Sequence, residues 1–337
     1  MKNVISVVVF FLVMGFSAVG FSAQGKVTGG NSFETPGWFK DSFLDIQEDV
    51  AEAKEEGKKI MLFFHLNNCP YCKAMLDENF FKGSNKKTIQ DNFSVIQINI
   101  KGDRQISLNK NDEISEQQLA TQLKVLYTPT VLFMDQNGKV IFRMNGYRDP
   151  TAFANLLDYV ITDNYQKMSL SLYTQNKHQK NKKSYKFLKH SAFKTKYDLK
   201  GYKKPVAIMF EDKDCTGCAD FHQSILSNKE VAKEMNALLY IRLDAYSDKK
   251  INWFDGTKIS PQDLVNKYKL SYRPGVILFD EGKEVSRVDG KLYSYHFKEA
   301  LRYISGRYYQ KYATYHTYLK DRSAEILKQG INIDLSK

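Results

Sequence analysis

Short apolar runs alternate along this chain with longer stretches in which apolar residues recur every three or four positions. The runs read as strands: residues 60–64, 95–100, 130–134 and 140–144. The stretches between them read as helices. Residues 38–58 carry Phe43, Leu44, Ile46, Val50 and Ala53 among acidic residues, with Gly57 placed to cap the end. Ala74, Met75, Leu76, Phe80 and Phe81 mark a helix directly after the first run. Residues 114–123 put Leu119, Ala120 and Leu123 on one side, and residues 153–161 close the unit. Asp135-Gln136-Asn137-Gly138 is a hairpin turn between the last two strands. Residues 24–36 read as a flexible lead and residues 101–111 as a polar loop. The order is strand, helix, strand, helix, strand, strand, helix, with one helix in front.

The second half repeats this order. The run 206–210 is followed by Cys215-Thr216-Gly217-Cys218, as the run 60–64 is followed by Cys69-Pro70-Tyr71-Cys72. From Cys69 to Pro129 is 60 residues, and from Cys215 to Pro274 is 59. Tyr127 matches Tyr272, Asp135 matches Asp280, Arg143 matches Arg287 and Gly146 matches Gly290. So many landmarks at one offset mean that a whole domain is duplicated; a solenoid would repeat every 20–50 residues or so. The predicted architecture is therefore α/β, two tandem domains, each a central mixed sheet flanked by helices. The expected boundaries are 24–163 for the first domain, 164–204 for a basic linker, 205–307 for the second, and 308–337 for a C-terminal helical extension. Part of the linker, around residues 185–193, has a helical pattern. The tyrosines of the extension (Tyr308, Tyr309, Tyr312, Tyr315 and Tyr318) are expected to pack on the domain.

Length and composition agree with two cores. The chain has 337 residues, of which 42% are hydrophobic. The net charge of +12 reads as a lysine-rich solvated surface, because no nucleic-acid motif accompanies it. Residues 1–23 form a targeting segment. Lys2 gives it a positive start, residues 4–16 an apolar core, and Ala18-Val19-Gly20 and Ser22-Ala23 two small-residue cleavage sites. The apolar core is shorter than the roughly 20 residues a membrane span needs. The expectation is an exported protein without stable membrane insertion after cleavage.

All four cysteines lie in the two C-x-x-C motifs. Each pair stands where a buried strand hands over to a helix. The first cysteine would meet the free N–H groups and positive dipole end of that helix, which favour a thiolate. In this reading Cys69 attacks a partner disulfide and Cys72, one turn on, resolves the mixed disulfide. Cys215 and Cys218 form a second redox pair. Pro70 suits the first helical turn, and Pro70 and Tyr71 tune and flank the site. A cis bond at Thr128-Pro129 would face the cysteines and present the Thr128 backbone to an extended substrate. Arg273-Pro274 is its counterpart.

A static disulfide remains open, more so for the second pair. Zinc binding is disfavoured, since the two motifs are more than 140 residues apart in separate copies. Covalent haem attachment needs a histidine after the second cysteine, where Lys73 and Ala219 stand. The pattern calls for no cofactor. His65 and His222 lie near the motifs and read first as surface or packing histidines, though His65 could favour the Cys69 thiolate if the two are close. Glu211, Asp212 and Asp214 make the second site acidic and would oppose a thiolate there.

These residues resemble the thioredoxin superfamily. More closely they are similar to periplasmic thioredoxin-related (SoxW-like) proteins with two tandem domains, associated with bacterial sulfur oxidation. Phe63-Phe64 before Cys69-Pro70-Tyr71-Cys72, Tyr127-Thr128-Pro129-Thr130 and Gly146-Tyr147 carry the likeness in the first half. Phe210-Glu211, Phe221-His222, Leu243-Asp244 and Asp255-Gly256 around Cys215-Thr216-Gly217-Cys218 carry it in the second. The chain departs from cytosolic thioredoxins in having Asn68 and Asp214 where a Trp is usual. It also has Phe63 and Met209 where a buried acid is usual. The resemblance implies a periplasmic thiol–disulfide oxidoreductase with a reducing role. Its partners would be protein disulfides and dithiols and a membrane electron donor. Two alternatives stay open: a disulfide oxidase or isomerase, and a binding or assembly module whose second domain is degenerate.

Overall fold

The structure, a computed structural model, describes residues 24–336 apart from 31, 110–111, 179–188, 213–214 and 313. The targeting segment 1–23, Asp214 and residues 185–188 of the expected linker helix lie outside the described residues; the rest of that helix, 189–193, forms a turn and a bridge and is not helical. The chain opens with β1 (Val27–Thr28) and α1 (Ile46–Glu55). The first sheet unit follows as β2 (Lys59–His65), α2 (Pro70–Met75), α3 (Ser84–Asn92), β3 (Phe93–Asn99), β4 (Gln105–Asn109), β5 (Asp112–Ser115), α4 (Glu116–Gln122), β6 (Thr130–Met134), β7 (Val140–Asn145) and α5 (Pro150–Ile161). Next comes α6 (Leu170–His178). The second unit runs β8 (Val206–Glu211), α7 (Thr216–Phe221), α8 (Lys229–Asn236), β9 (Leu239–Asp244), β10 (Ile251–Asn252), β11 (Lys258–Ile259), α9 (Pro261–Lys267), β12 (Gly275–Asp280), β13 (Lys283–Val288) and α10 (Ser294–Ser305). It is followed by α11 (Tyr315–Lys328) and β14 (Ile333–Asp334).

The two sheets have the same order, β3-β2-β6-β7 and β9-β8-β12-β13, with one parallel and two antiparallel pairings each. In both, the first strand of the unit is central and buried on both faces, which explains its unbroken apolar run. Period-two geometry sends alternate side chains to opposite cores. Met61 and Phe63 join Cys72, Phe133 and Phe153 on one face, while Ile60, Leu62 and Phe64 join Ile96, Ile98 and Leu132 on the other. Each of these buried Phe or Ile side chains contributes about 1.5–3 kcal/mol relative to exposure. Ala207 and Met209 against Val206, Ile208 and Phe210 repeat the division in the second half. Matched residues repeat their bonds as well. Arg143 Nη1 donates to Leu123 O and Arg287 Nη1 to Tyr268 O, the equivalent carbonyl.

Several local expectations need correction. The front helix starts at Ile46 and not near Trp38, because Asp45 caps it by accepting from the N–H groups of Gln47 and Glu48. Phe43 therefore lies off the helix and is 96% exposed. The polar loop at 101–111 holds β4, which pairs with β5. Helix α3 was not expected; it is mostly polar and buries only Asn85 and Ile89. The flexible lead is tied down, since β1 pairs in parallel with β14 at the far end of the chain. Strands of two residues carry no periodicity, so neither half of that pair is legible locally. The linker is only partly solvated. Leu170 packs into the first core, Ala192 and Leu199 are fully buried in the second unit, and Phe193 bridges to Tyr240. The extension breaks into a short 3-10 turn and α11, which Thr314 caps. Its tyrosines do pack inward; Tyr318 is 2% exposed and donates to Glu299.

Candidate active site: two cysteine pairs

Each pair sits at the N-terminus of the helix that follows the central strand. Cys69 and Cys72 are disulfide-bonded with Cα atoms 5.2 Å apart, and Cys215 and Cys218 with Cα atoms 5.4 Å apart. The leading sulfur caps its own helix: Cys72 N–H donates to Cys69 Sγ at 3.1 Å, and Cys218 N–H to Cys215 Sγ at 2.9 Å. The local dipole therefore bears on the leading sulfur of each pair. The second cysteines are fully buried, and the first keep 6% and 7% exposure. Both helices continue through a π-type turn, Leu76–Phe81 and His222–Leu226.

The loops facing the pairs contain the two cis bonds, Thr128-Pro129 and Arg273-Pro274. Thr128 Oγ1 donates to Cys69 Sγ at 3.4 Å, and Thr128 O lies 3.7 Å from the same sulfur. Arg273 is engaged elsewhere. Its Nη2 donates to Ser171 Oγ of α6 at 2.7 Å, its Nη1 to Tyr272 O at 2.9 Å, and its Nε stands 3.5 Å from Asp212.

The two halves meet at these sites. The corner after β7 lies against the matched corner after β13. Tyr147 forms an antiparallel bridge with Lys291, its own counterpart, and Gly146 and Gly290 approach so closely that a Cβ on Gly290 would sit 3.2 Å from Asn145 O. Counterpart meeting counterpart marks an approximate twofold relation. Arg148, 1% exposed, crosses this interface: it donates to Asn145 O, Tyr147 O and Ser271 Oγ, and its guanidinium lies 4.6 Å above the Tyr272 ring. Tyr71, between the first pair of cysteines, stacks on Tyr293 at 4.9 Å. Its hydroxyl accepts from Tyr293 N–H at 3.0 Å and lies 2.8 Å from His296 Nδ1. Burial raises the Tyr71 phenol above its ordinary pKa and lowers His296 to about 4.

His65 is buried and its pKa is lowered to about 4 by desolvation, with Glu116 opposing. It is uncharged near neutrality and supplies no positive charge to Cys69. Its Nδ1 has no hydrogen-bond partner among the described residues. The position that matches it in the second half is Glu211, also buried, which hydrogen-bonds His222 Nε2. The acids beside the second pair thus have partners, Glu211 in His222 and Asp212 in Arg273. Sequence reading missed the Glu211–His222 pair and the partners of Tyr71. A glutamate ending a buried strand, matched to a histidine, was the available signal for the first. The Tyr71 partners are more than 220 residues away, and nothing local announces them.

The profile of the thioredoxin-like domain family matches the chain twice, over residues 46–161 and 193–305. Among solved structures, a thioredoxin-fold protein from Helicobacter pylori is 26% identical, covering 37% of this chain and 87% of its own, with a TM-score of 0.33. A thioredoxin from Thermus thermophilus is 24% identical over 34% of this chain and 83% of its own, TM-score 0.28. A disulphide isomerase from Xylella fastidiosa is 19% identical over 44% of this chain and 98% of its own, TM-score 0.24. No curated protein matches the chain.

Proposed function

Because the chain belongs to the thioredoxin-like domain family, we propose that it is an exported thiol–disulfide oxidoreductase that reduces protein disulfides through Cys69 and Cys72. The observation that carries this reading is the leading sulfur of the first pair. It caps a helix, and the Thr128 backbone and hydroxyl stand beside it. In the reduced protein the Cys69 thiolate attacks one sulfur of a substrate disulfide. The other substrate sulfur leaves as a thiolate and takes a proton. Cys72, buried behind, then attacks Cys69 Sγ, releases the second substrate thiol and closes the pair. Thr128 and Pro129 serve as the platform for the substrate backbone; Pro70 starts the helix and Tyr71 holds the site against the other half. Cys215 and Cys218, with Arg273 and Pro274 opposite, act as the second redox pair. Export is supported by the charge and apolar pattern of residues 1–23. No helix of the described residues is long and apolar enough to cross a membrane. Electrons would come from a membrane-bound donor.

Trapping tests the reading. With Cys72→Ser, mixed disulfides with exported proteins should accumulate at Cys69. If neither Cys72→Ser nor Cys218→Ser traps a partner and the wild type fails to reduce insulin, the enzymatic reading is wrong. The direction is read from the reduction potential: about −270 mV marks a reductant and about −120 mV an oxidant.

A further inference from the structure

The twofold relation between the halves exposes one asymmetry. Tyr71 and Gly217 occupy the same place in their motifs, and each faces the start of the last helix of the other half. Tyr71 fills its side completely, stacked on Tyr293 and bonded to His296. Gly217 puts no side chain there: the three nearest neighbours of a Cβ would be Arg273 O at 3.5 Å, Tyr272 Oη at 3.6 Å and Asp149 Oδ2 at 3.9 Å, all at ordinary contact distance. What remains is a cleft of about 90 Å³ that reaches Cys215. Its walls include Gly217, Tyr272 and Arg273 from one half and Asp149 and Ser171 from the other. That is room for a few water-sized groups or a short thiol. The strand edge at Arg273, where an extended peptide would lie, is tied to α6 through Ser171.

We propose that the Cys215–Cys218 disulfide exchanges with low-molecular-weight thiols carrying an ammonium group, and not with proteins. The charge preference comes from Asp149. Its Oδ1 accepts from Thr151 and Ala152 N–H and caps α5, which turns Oδ2 toward Gly217 and the cleft. Arg273, the cleft's cation, is already held by Asp212. A small thiolate attacks Cys215 Sγ; the bond to Cys218 breaks and Cys218 leaves as a thiolate that takes a proton. A second small thiolate attacks the thiol-derived sulfur of the mixed disulfide and displaces Cys215. Two electrons pass from two thiols to the protein, giving one small disulfide and the Cys215/Cys218 dithiol. This rests on the exchange activity proposed above and gives its second site a substrate class.

The test uses the full chain with Cys69→Ser and Cys72→Ser, leaving one pair. Its reduction is followed by alkylation and mass spectrometry with cysteamine, 2-mercaptoethanol or mercaptoacetate, each compared per thiolate. Cysteamine should react about tenfold faster than mercaptoacetate, a preference that Asp149→Asn reduces toward unity while keeping the cap. Gly217→Tyr, mirroring Tyr71, should slow all three thiols at least about tenfold. Equal rates for the three thiols, or reduction of insulin by this dithiol as fast as by the first, would overturn the proposal. If dithiothreitol itself fails to open the pair, the exchange reading of the second site fails with it.

Discussion

The first and second cysteine pairs share a frame and differ in what touches it. Strand, capping sulfur, π-type turn and cis bond coincide in both halves. Among the matched positions that differ are Tyr71 against Gly217, Thr128 against Arg273, and His65 against Glu211. The shared features are dictated by backbone geometry, which the duplication keeps. The differing ones decide access and charge. Threonine leaves the first platform untied, whereas arginine is tied across to α6. Tyrosine closes one side of the interface, and glycine leaves the other side open.

The largest effect that would sharpen the contrast is expected at Glu211. Glu211→Leu removes the buried carboxylate that faces both His222 and Arg242 and should cost about 3–5 kcal/mol in urea denaturation, as breaking buried pairs does. An effect below about 1 kcal/mol would mean that the pair is not structural. Acid comes next. His65 and His296 have folded pKa values near 4 against an ordinary 6.5. The unfolded chain therefore binds more protons between those values, and stability falls as pH drops from 6.5 to 4. Above 6.5 these two groups contribute no pH dependence. The loss should approach about 3 kcal/mol per histidine, and His65→Asn or His296→Asn should flatten its share of the profile. A profile unchanged in both variants would place the acid sensitivity elsewhere. The smallest effect is at Tyr71→Phe, which keeps the ring stack but leaves Tyr293 N–H without its acceptor. About 1–2 kcal/mol should be lost, with little change at the second pair, as read by denaturation and by its reduction potential.

Much of this was legible in the chain. The central strands announced themselves because burial on both faces demands unbroken apolar runs, and the cysteine and proline landmarks repeated at one offset. Helix α3 was not legible, since it docks through two side chains and is otherwise polar. The periodicity carries the front helix back through Phe43, whereas the Asp45 cap decides its start. The β1–β14 pair joins residues some 300 positions apart with no pattern in either strand.

By itself the sequence determined two α/β units, each with a cysteine pair at the mouth of a helix and a proline opposite, because those features follow from local periodicity, capping and spacing. Only the tertiary structure decided that His65 is neutral, that Glu211 has a partner, and that matched corners of the halves meet. Those outcomes depend on desolvation and on contacts between residues far apart in the chain. The same packing closes one pair with Tyr71 and leaves Gly217 beside a cleft at the other.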